Sequence, residues 1–394
     1  MSTIEITSMV LGVVVVGTLI LWLGVAHRLL RIARTKPTIR EGLTLPIPDD
    51  VLVSIVVPAH NEERVIDKCA HSLRKQSHSN IQMIFVLDRC TDRTLDILQK
   101  HASDDDRITL IEIDDCPEDW AGKCNAGKIG AAKAKGDWLL FTDADTEFDH
   151  QLIRCAVASA TKRKASLLSI LSSLTITKNY ERIVQPIAST CLLRNFPVDR
   201  INSDTRTRPF ANGQFLLFKK AAYEAIGGHD SVKDDLLEDI AFAKAIHKSG
   251  ARVQVLFADG LLKCSMYSTY SAFQNGWKRI YIESCNRRIH KLKQNATTII
   301  ITGNILPAVG VAGIIVGLIT SPALFWTSVA SLLTSAMVVA WLYRINRAPM
   351  IFAIFAPIGA LIVAKLFRDA ARMLERREPV CWGGKQYILE PRQQ

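Results

Sequence analysis

Two carboxylates close a short apolar run. Trp138-Leu139-Leu140-Phe141-Thr142 leads directly into Asp143-Ala144-Asp145, with Gly136 before it and polar residues after. The run reads as a buried strand ending at a sheet edge. In an extended chain, residues two apart point the same way, so Asp143 and Asp145 are expected to aim at one point. Paired carboxylates there offer hard oxygen ligands to Mg²⁺ or Mn²⁺, an ion that usually also holds a substrate diphosphate. A strand followed by an ordinary polar turn has the same sequence, so the surroundings decide between the two.

Those surroundings are strands alternating with helices. Val51–Pro58 is a nearly continuous β-branched run, as in a parallel sheet buried on both faces. Ile81–Leu87, Ile108–Ile113 and Asp137–Thr142 read as further strands, with helical stretches up to Gln76, over Thr91–His101 and over Ala121–Lys135. This order predicts an α/β doubly wound, mostly parallel sheet, whose ligands bind beyond the carboxyl ends of the strands. Asn61, Asp88 and Asp143 each fall just after a strand. Further on, Phe210-Ala211-Asn212-Gly213-Gln214 precedes a strand at Phe215–Phe218, and Asp234-Asp235-Leu236-Leu237-Glu238-Asp239 opens a helix. Acids in a first helical turn are stabilised by the helix dipole, so capping alone would account for them.

Several of these segments together resemble the family 2 glycosyltransferases with the GT-A fold. Val57-Pro58-Ala59-His60-Asn61-Glu62 is similar to that family's opening motif, and Leu87-Asp88-Arg89-Cys90-Thr91-Asp92 to its nucleotide loop. Lys123-Cys124-Asn125-Ala126-Gly127, Asp143-Ala144-Asp145 and Leu237-Glu238-Asp239 follow in the family's order over roughly residues 50–290. The resemblance implies that Pro58, Asn61, Glu62 and Asp88 contact a nucleotide sugar, with Asp88 alone holding the uracil or ribose. It places Lys123 near the diphosphate, and Asp143 and Asp145 on a divalent metal, Mg²⁺ or Mn²⁺. It makes Asp239, with Glu238 beside it, the catalytic acid pair, Asp239 taking a proton from an acceptor hydroxyl. It puts Asn212, Gly213 and Gln214 on the acceptor side. Trp277 is expected to stack on a sugar and Arg279 to meet phosphate, unless Trp277 is an aromatic of the membrane surface. Arg89 and Cys90 replace the family's usual small residues.

The chain has 394 residues, and its formal charge is 49 − 38 = +11. The basic residues flank apolar runs, which suits an anionic membrane face; no motif points to nucleic acid. Nine cysteines occur without any C-x-x-C pair, as in a reduced cytosolic protein. Thr7–Ala26 is charge-free over about 20 residues, enough to span a bilayer. Arg28, Arg31, Arg34, Lys36 and Arg40 follow it, so an uncleaved anchor with its basic end in the cytoplasm is expected. Asn179–Arg200 reads as an amphipathic stretch at the membrane surface or an ordinary surface helix. Thr297–Ile319 and Pro322–Tyr343 read as two further spans. Met350–Leu366 is at the short limit and precedes a basic tail, so a re-entrant or interfacial hairpin is expected. The tail Val380–Tyr387 resembles the end of ceramide- and hopanoid-type glucosyltransferases and is expected beside the active site.

The sequence therefore divides into an anchor (1–28), a linker broken by Pro46 and Pro48 (29–50), a cytoplasmic catalytic domain (51–294), a membrane domain (295–368) and a cytoplasmic tail (369–394). The expected activity is inverting transfer of one sugar from a nucleotide sugar, a UDP-sugar by resemblance, to a lipid hydroxyl at a bacterial inner membrane. A processive polysaccharide synthase would need a Q-x-x-R-W motif that Gln274 and Trp277 fit poorly. A non-catalytic membrane subunit would not need the acids at Asp88, Asp143, Asp145 and Asp239.

Overall fold

A computed structural model describes residues 3–34, 37–47, 51–203 and 208–392; Lys36 and Pro48 lie outside them. The chain opens with a 32-residue helix, Thr3–Arg34 (α1). The expected linker is not loose. Ile39–Thr44 is a 3₁₀ turn with Ile39 buried, and Arg154 donates to the carbonyls of Gly42, Leu43 and Leu45. Pro37 O also accepts from Phe257 N at 2.8 Å, so this segment is stitched to the sheet.

The central unit runs β1 (Val53–Ala59), α2 (Ile66–Arg74), β2 (Ile81–Asp88), α3 (Thr94–Ser103), β3 (Ile108–Ile113), α4 (Gly122–Lys133), β4 (Trp138–Phe141), β5 (Thr146–Phe148), α5 (Leu152–Lys162), β6 (Leu167–Leu171), β7 (Ser173–Leu174), α6 (Asn179–Asn195), α7 (Val198–Ile201), β8 (Leu216–Lys219), α8 (Lys220–Ala225), α9 (Glu238–Lys248), β9 (Val253–Phe257), β10 (Leu262–Cys264) and α10 (Tyr270–Ser284). Seven strands form one sheet in the order β3-β2-β1-β4-β8-β6-β9. Only β8 runs antiparallel to its neighbours, as the mostly parallel expectation requires. Apolar residues on both faces of β1 and β2 are buried, which is why these strands read as unbroken runs. The order reverses between β1 and β4, and a crevice at such a switch point is where an open α/β sheet binds ligands. A small sheet, β5-β10-β7, extends from the end of β4.

The rest is helical: α11 (Ile289–Ile300) passes through a π-turn into α12 (Leu306–Thr320), then α13 (Pro322–Ile345) and α14 (Ala356–Glu375). A short hairpin, β11 (Val380–Trp382) and β12 (Lys385–Tyr387), closes the described chain. Among the described residues, four helical stretches are long and apolar enough to cross a membrane: Thr3–Arg34, Ile289–Thr320, Pro322–Ile345 and Met350–Glu375. The first three pack as a bundle. Small residues let the helices close in, as in membrane packing: a Cβ on Gly313 would stand 3.2 Å from Val15 and collide with Ser328. Ser8 Oγ lies 3.1 Å from Thr320 Oγ1, so the start of α1 and the end of α12 share the far end of the bundle. The basic ends Arg28–Arg34 and Arg344–Arg347 therefore face the sheet domain.

The segment expected as a re-entrant or interfacial hairpin, Met350–Leu366, lies within Met350–Glu375. It is one continuous helical stretch, a 3₁₀ turn leading into α14. Gly359, Ala360, Val363, Phe367, Ala370 and Ala371 face inward, while Ile351, Ile354, Ile358 and Leu361 are exposed. A Cβ on Gly303 would touch Ala360, and Lys293 pairs with Glu375 at 2.6 Å. α14 thus runs antiparallel to α11 along the domain-proximal part of the long helix, and it also packs on α6 and α10. The segment Asn179–Arg200 is accordingly enclosed rather than free: Tyr343 Oη of α13 donates to Ile183 O at 2.8 Å.

Candidate active site

A cavity of ≈ 720 Å³ lies against the carboxyl ends of β1, β2 and β4. Pro58, Glu62, Asp88, Lys123, Asp143, Asp145, Asn212, Gly213, Gln214, Trp277, Arg279, Glu238 and Asp239 all line it. Asn61 does not. Its backbone is left-handed (φ 56°), and its side-chain oxygen accepts from Thr91 N at 2.8 Å, holding the nucleotide loop in place.

The two metal-motif acids converge for a reason other than strand alternation. β4 ends at Phe141, and the following residues turn: Thr146 Oγ1 donates to Asp143 O at 2.7 Å. Asp143 faces α4, and Asp145 faces β10, where Cys264 Sγ donates to its Oδ1 at 3.4 Å. Burial, then the Asp143 charge, pushes the Asp145 carboxyl up to about 7. Burial and the charges of Asp145 and Asp143 likewise push Glu62 up to about 8.

Lys123 is in the first turn of α4. Its Nζ stands 2.6 Å from Asp143 Oδ1 and 2.6 Å from Glu238 Oε1, so one ammonium bridges the motif acids and the α9 acids. Burial alone would favour losing its proton, but the two carboxylates together hold it well above the usual lysine range. Gly213 makes this approach possible: a Cβ there would lie 3.1 Å from Lys123 Nζ and 3.3 Å from Asp239 Oδ2.

The adjacent acids of α9 are driven apart. Burial raises Glu238, but the Lys123 charge and hydrogen bond outweigh it, so Glu238 is held below the usual glutamate range. Asp239 is not in direct contact with Lys123, whose charge lowers it less than its surroundings raise it. Burial and the neighbouring Glu238 push it up to about 7. Its two oxygens accept from Gly213 N and from Ile240 N, both at 2.7 Å, which fixes the carboxylate plane. Paired acids whose environments separate their protonation in this way are suited to distinct chemical roles.

At the nucleotide-loop end, Arg89 forms a two-point pair with Asp88 at 2.8 and 2.7 Å, and His60 Nδ1 lies 2.6 Å from Asp88 O. The Asp88 carboxylate is therefore already engaged by its neighbour. The C-terminal hairpin forms the wall here. Arg89 donates to Gly383 O at 3.2 Å, Gly122 N donates to Tyr387 Oη at 3.3 Å, and Lys385 Nζ donates to Pro117 O at 2.8 Å. Arg279 stacks over Trp382 at 4.3 Å and donates to Leu236 O at 2.8 Å. Trp277 lines the cavity but is otherwise buried, its indole donating to Gln185 Oε1 at 3.3 Å.

The other end of the cavity is apolar, lined by Leu171, Leu192, Leu193, Phe210, Ile240 and Phe257, and reaches Ile345, Asn346 and Arg347 at the end of α13. Sequence reasoning missed this end, together with Ser172 and Cys264. The apolar residues come from four elements and the loop before β8, and no local pattern distinguishes them from core.

Residues 54–227 match the family model described as Glycosyl transferase family 2. Among curated proteins, the 4,4'-diaponeurosporenoate glycosyltransferase of Staphylococcus aureus (strain bovine RF122 / ET3-1) is 25% identical over 353 residues, 86% of this chain and 89% of that protein. Its counterpart in Staphylococcus haemolyticus (strain JCSC1435) is 24% identical over 230 residues, 58% of this chain and 60% of that protein. Among solved structures, the mannosyltransferase PcManGT from Pyrobaculum calidifontis, in complex with GDP-Man and Mn²⁺, is 19% identical with a TM-score of 0.46, covering 89% of this chain and 99% of that one. Residues 54–227 are thus similar to glycosyl transferase family 2, and among the described residues they are accompanied by four helices of membrane-spanning length.

Proposed function

We propose that this protein is an inverting glycosyltransferase that moves one sugar from a UDP-sugar to an oxygen of a lipid held at the cytoplasmic face of a membrane. The observation that carries this reading is the single cavity running from the acid cluster to the end of α13. A charged, water-soluble donor suits one end and an apolar acceptor the other. The basic helix ends lie on the side of the sheet domain, which supports a cytoplasmic domain by the positive-inside rule.

Asp239 is the proposed base. It takes the proton of the acceptor hydroxyl as that oxygen attacks the anomeric carbon, and the bond from that carbon to the diphosphate breaks. The electron pair leaves with the diphosphate, whose charge Lys123 stabilises. A single displacement inverts the anomeric centre.

A divalent ion fits the donor set. Asp143 and Asp145 present hard carboxylate oxygens to one cavity, and their mutual repulsion, seen in the raised Asp145, is what a dication would relieve. Among the described residues no three His, Cys, Asp or Glu side chains gather tightly enough to hold an ion unaided, so diphosphate oxygens would complete its shell. Mg²⁺ or Mn²⁺ so held would act as a Lewis acid on the leaving diphosphate.

The relatives are named for a carboxylate, 4,4'-diaponeurosporenoate. A long apolar acceptor of that kind suits the Leu171–Phe257 side of the cavity. Asp239→Asn tests the assignment. It should reduce transfer to a hydroxyl acceptor by orders of magnitude while UDP and Mn²⁺ still bind; full turnover by the variant would remove Asp239 as base.

A further inference from the structure

Gln214 lines the cavity, yet both ends of its side-chain amide are bonded to the protein. Its Oε1 accepts from Asn212 Nδ2 at 2.9 Å and from Ser172 Oγ. Asn212 Nδ2 can only donate, which fixes the oxygen on that side and points Nε2 the other way. Nε2 then donates to Cys264 Sγ at 2.9 Å. With its sulfur accepting, the Cys264 thiol has its own proton left for Asp145 Oδ1, 3.4 Å away. Cys264 and Gln214 are both buried, and strand pairing sets Cys264 opposite Thr146, one residue past Asp145. The backbone of Gln214 reaches the same turn by a second route. Thr142 Oγ1 donates to Gln214 O at 2.7 Å and lies 3.1 Å from Thr146 Oγ1, which donates to Asp143 O.

The geometry points to Cys264 and Gln214 as positioning residues for the metal-motif acids, with Gln214 orienting the thiol and the thiol orienting Asp145. This deepens the proposed function and rests on its reading of Asp143 and Asp145 as ligands. Gln214, expected on the acceptor side, thus acts with Cys264 through hydrogen bonds behind the ligands. Partners of this kind fix ligand direction in metal sites generally. Besides its own backbone N–H, the Cys264 thiol is the hydrogen-bond donor to the Asp145 carboxylate among the described residues; Thr146 and Ser265 hold backbone carbonyls of the same turn.

The test uses the full chain in detergent, with Mn²⁺ titrated in the presence and absence of UDP and free Mn²⁺ read by electron paramagnetic resonance. Cys264→Ala should weaken Mn²⁺ binding roughly 10- to 100-fold, Gln214→Met should weaken it in the same direction, and Cys264→Ser, which keeps a donor, should restore most of the affinity. A purely structural role would lower the melting temperature and leave Mn²⁺ affinity alone. Wild-type Mn²⁺ affinity in folded Cys264→Ala and Gln214→Met would overturn the positioning role. Failure of the wild type itself to take up Mn²⁺ with UDP would instead overturn the metal reading of the proposed function, and the positioning role with it.

Discussion

Replacing Lys123 by methionine keeps most of the side-chain volume and removes the one charge that Asp143 and Glu238 share. Both oxygens are 2.6 Å from Nζ, and the Glu238 side chain is only 5% exposed. At an effective dielectric near 20, charges about 3 Å apart attract by roughly 5 kcal/mol per pair before desolvation is counted. Breaking a buried pair by removing one partner costs about 3–5 kcal/mol in practice. For a domain of this size that lowers the melting temperature by about 10 °C. The loss should depend on pH. In the wild type, Glu238 is held below its ordinary range, so its contribution is present above the unfolded pKa and is lost only as pH falls through the folded value. Without the ammonium, burial raises Glu238 instead. Its contribution is then present below the unfolded pKa and lost as pH rises through the raised one. Lys123→Met should therefore melt well below the wild type at pH 8, and closer to it at pH 5.5. Sugar transfer should be lost at both. Thermal unfolding of the two proteins in the same detergent at the two pH values checks this. Equal melting temperatures at pH 8 would refute the bridging role.

Transfer to a hydroxyl acceptor should rise tenfold per pH unit and level off near pH 7, because a base must lose its proton and burial beside Glu238 pushes Asp239 up to about 7. The initial-rate profile of kcat/KM checks this; a flat profile would exclude Asp239 as the titrating group. Gly213→Ala should lower kcat about tenfold, since a Cβ 3.1 Å from Lys123 Nζ and 3.3 Å from Asp239 Oδ2 displaces both by a few tenths of an ångström; melting by circular dichroism should barely change. Cys381 is the exposed cysteine among nine free ones, the others being buried or half-buried. A membrane-impermeant maleimide should therefore label it in inside-out vesicles and not in intact cells, and the reverse would put the catalytic domain on the wrong side.

The strands of the parallel core were legible because burial on both faces leaves a β-branched run such as Val53–Val57. The acids were legible because each follows a strand or opens a helix. The reason given for Asp143 and Asp145 was less secure than the result: a turn held by Thr146, rather than strand alternation, brings them together. Asn61 was placed in the site because its neighbours are there, yet a left-handed backbone sends its side chain to the Thr91 loop. Asp88 was read as free to bind, and only the fold shows Arg89 wrapped onto it. Met350–Leu366 was read by length and charge, which say nothing of the small-residue face that lays α14 along α11. Ser172, Gln214 and Cys264 meet across three elements, and no spacing along the chain encodes that meeting.

The distribution of charge along the cavity bears on how two unlike substrates reach one another. Five carboxyls, Glu62, Asp143, Asp145, Glu238 and Asp239, line its polar part, and Lys123 is the cation set against them. Three of the five are pushed up to between about 7 and 8, so near neutral pH the cluster sheds much of its repulsion by holding protons. A diphosphate brought to that cluster would meet five carboxyls set against the ammonium of Lys123. Asp143 and Asp145 would hold a dication, which would relieve their mutual repulsion and offer positive charge to the diphosphate. Donor and metal are therefore expected to bind together. Leu171, Leu192, Phe210 and Ile240 line the same cavity, and against them an apolar chain loses water. Only the reacting oxygen of the acceptor has to enter the acid cluster, and Asp239 stands where Ile240, its neighbour on α9, already belongs to the apolar wall. One helix terminus thus carries both the proposed base and the first residue that an apolar acceptor would touch, which keeps the distance between chemistry and recognition to a single turn of helix.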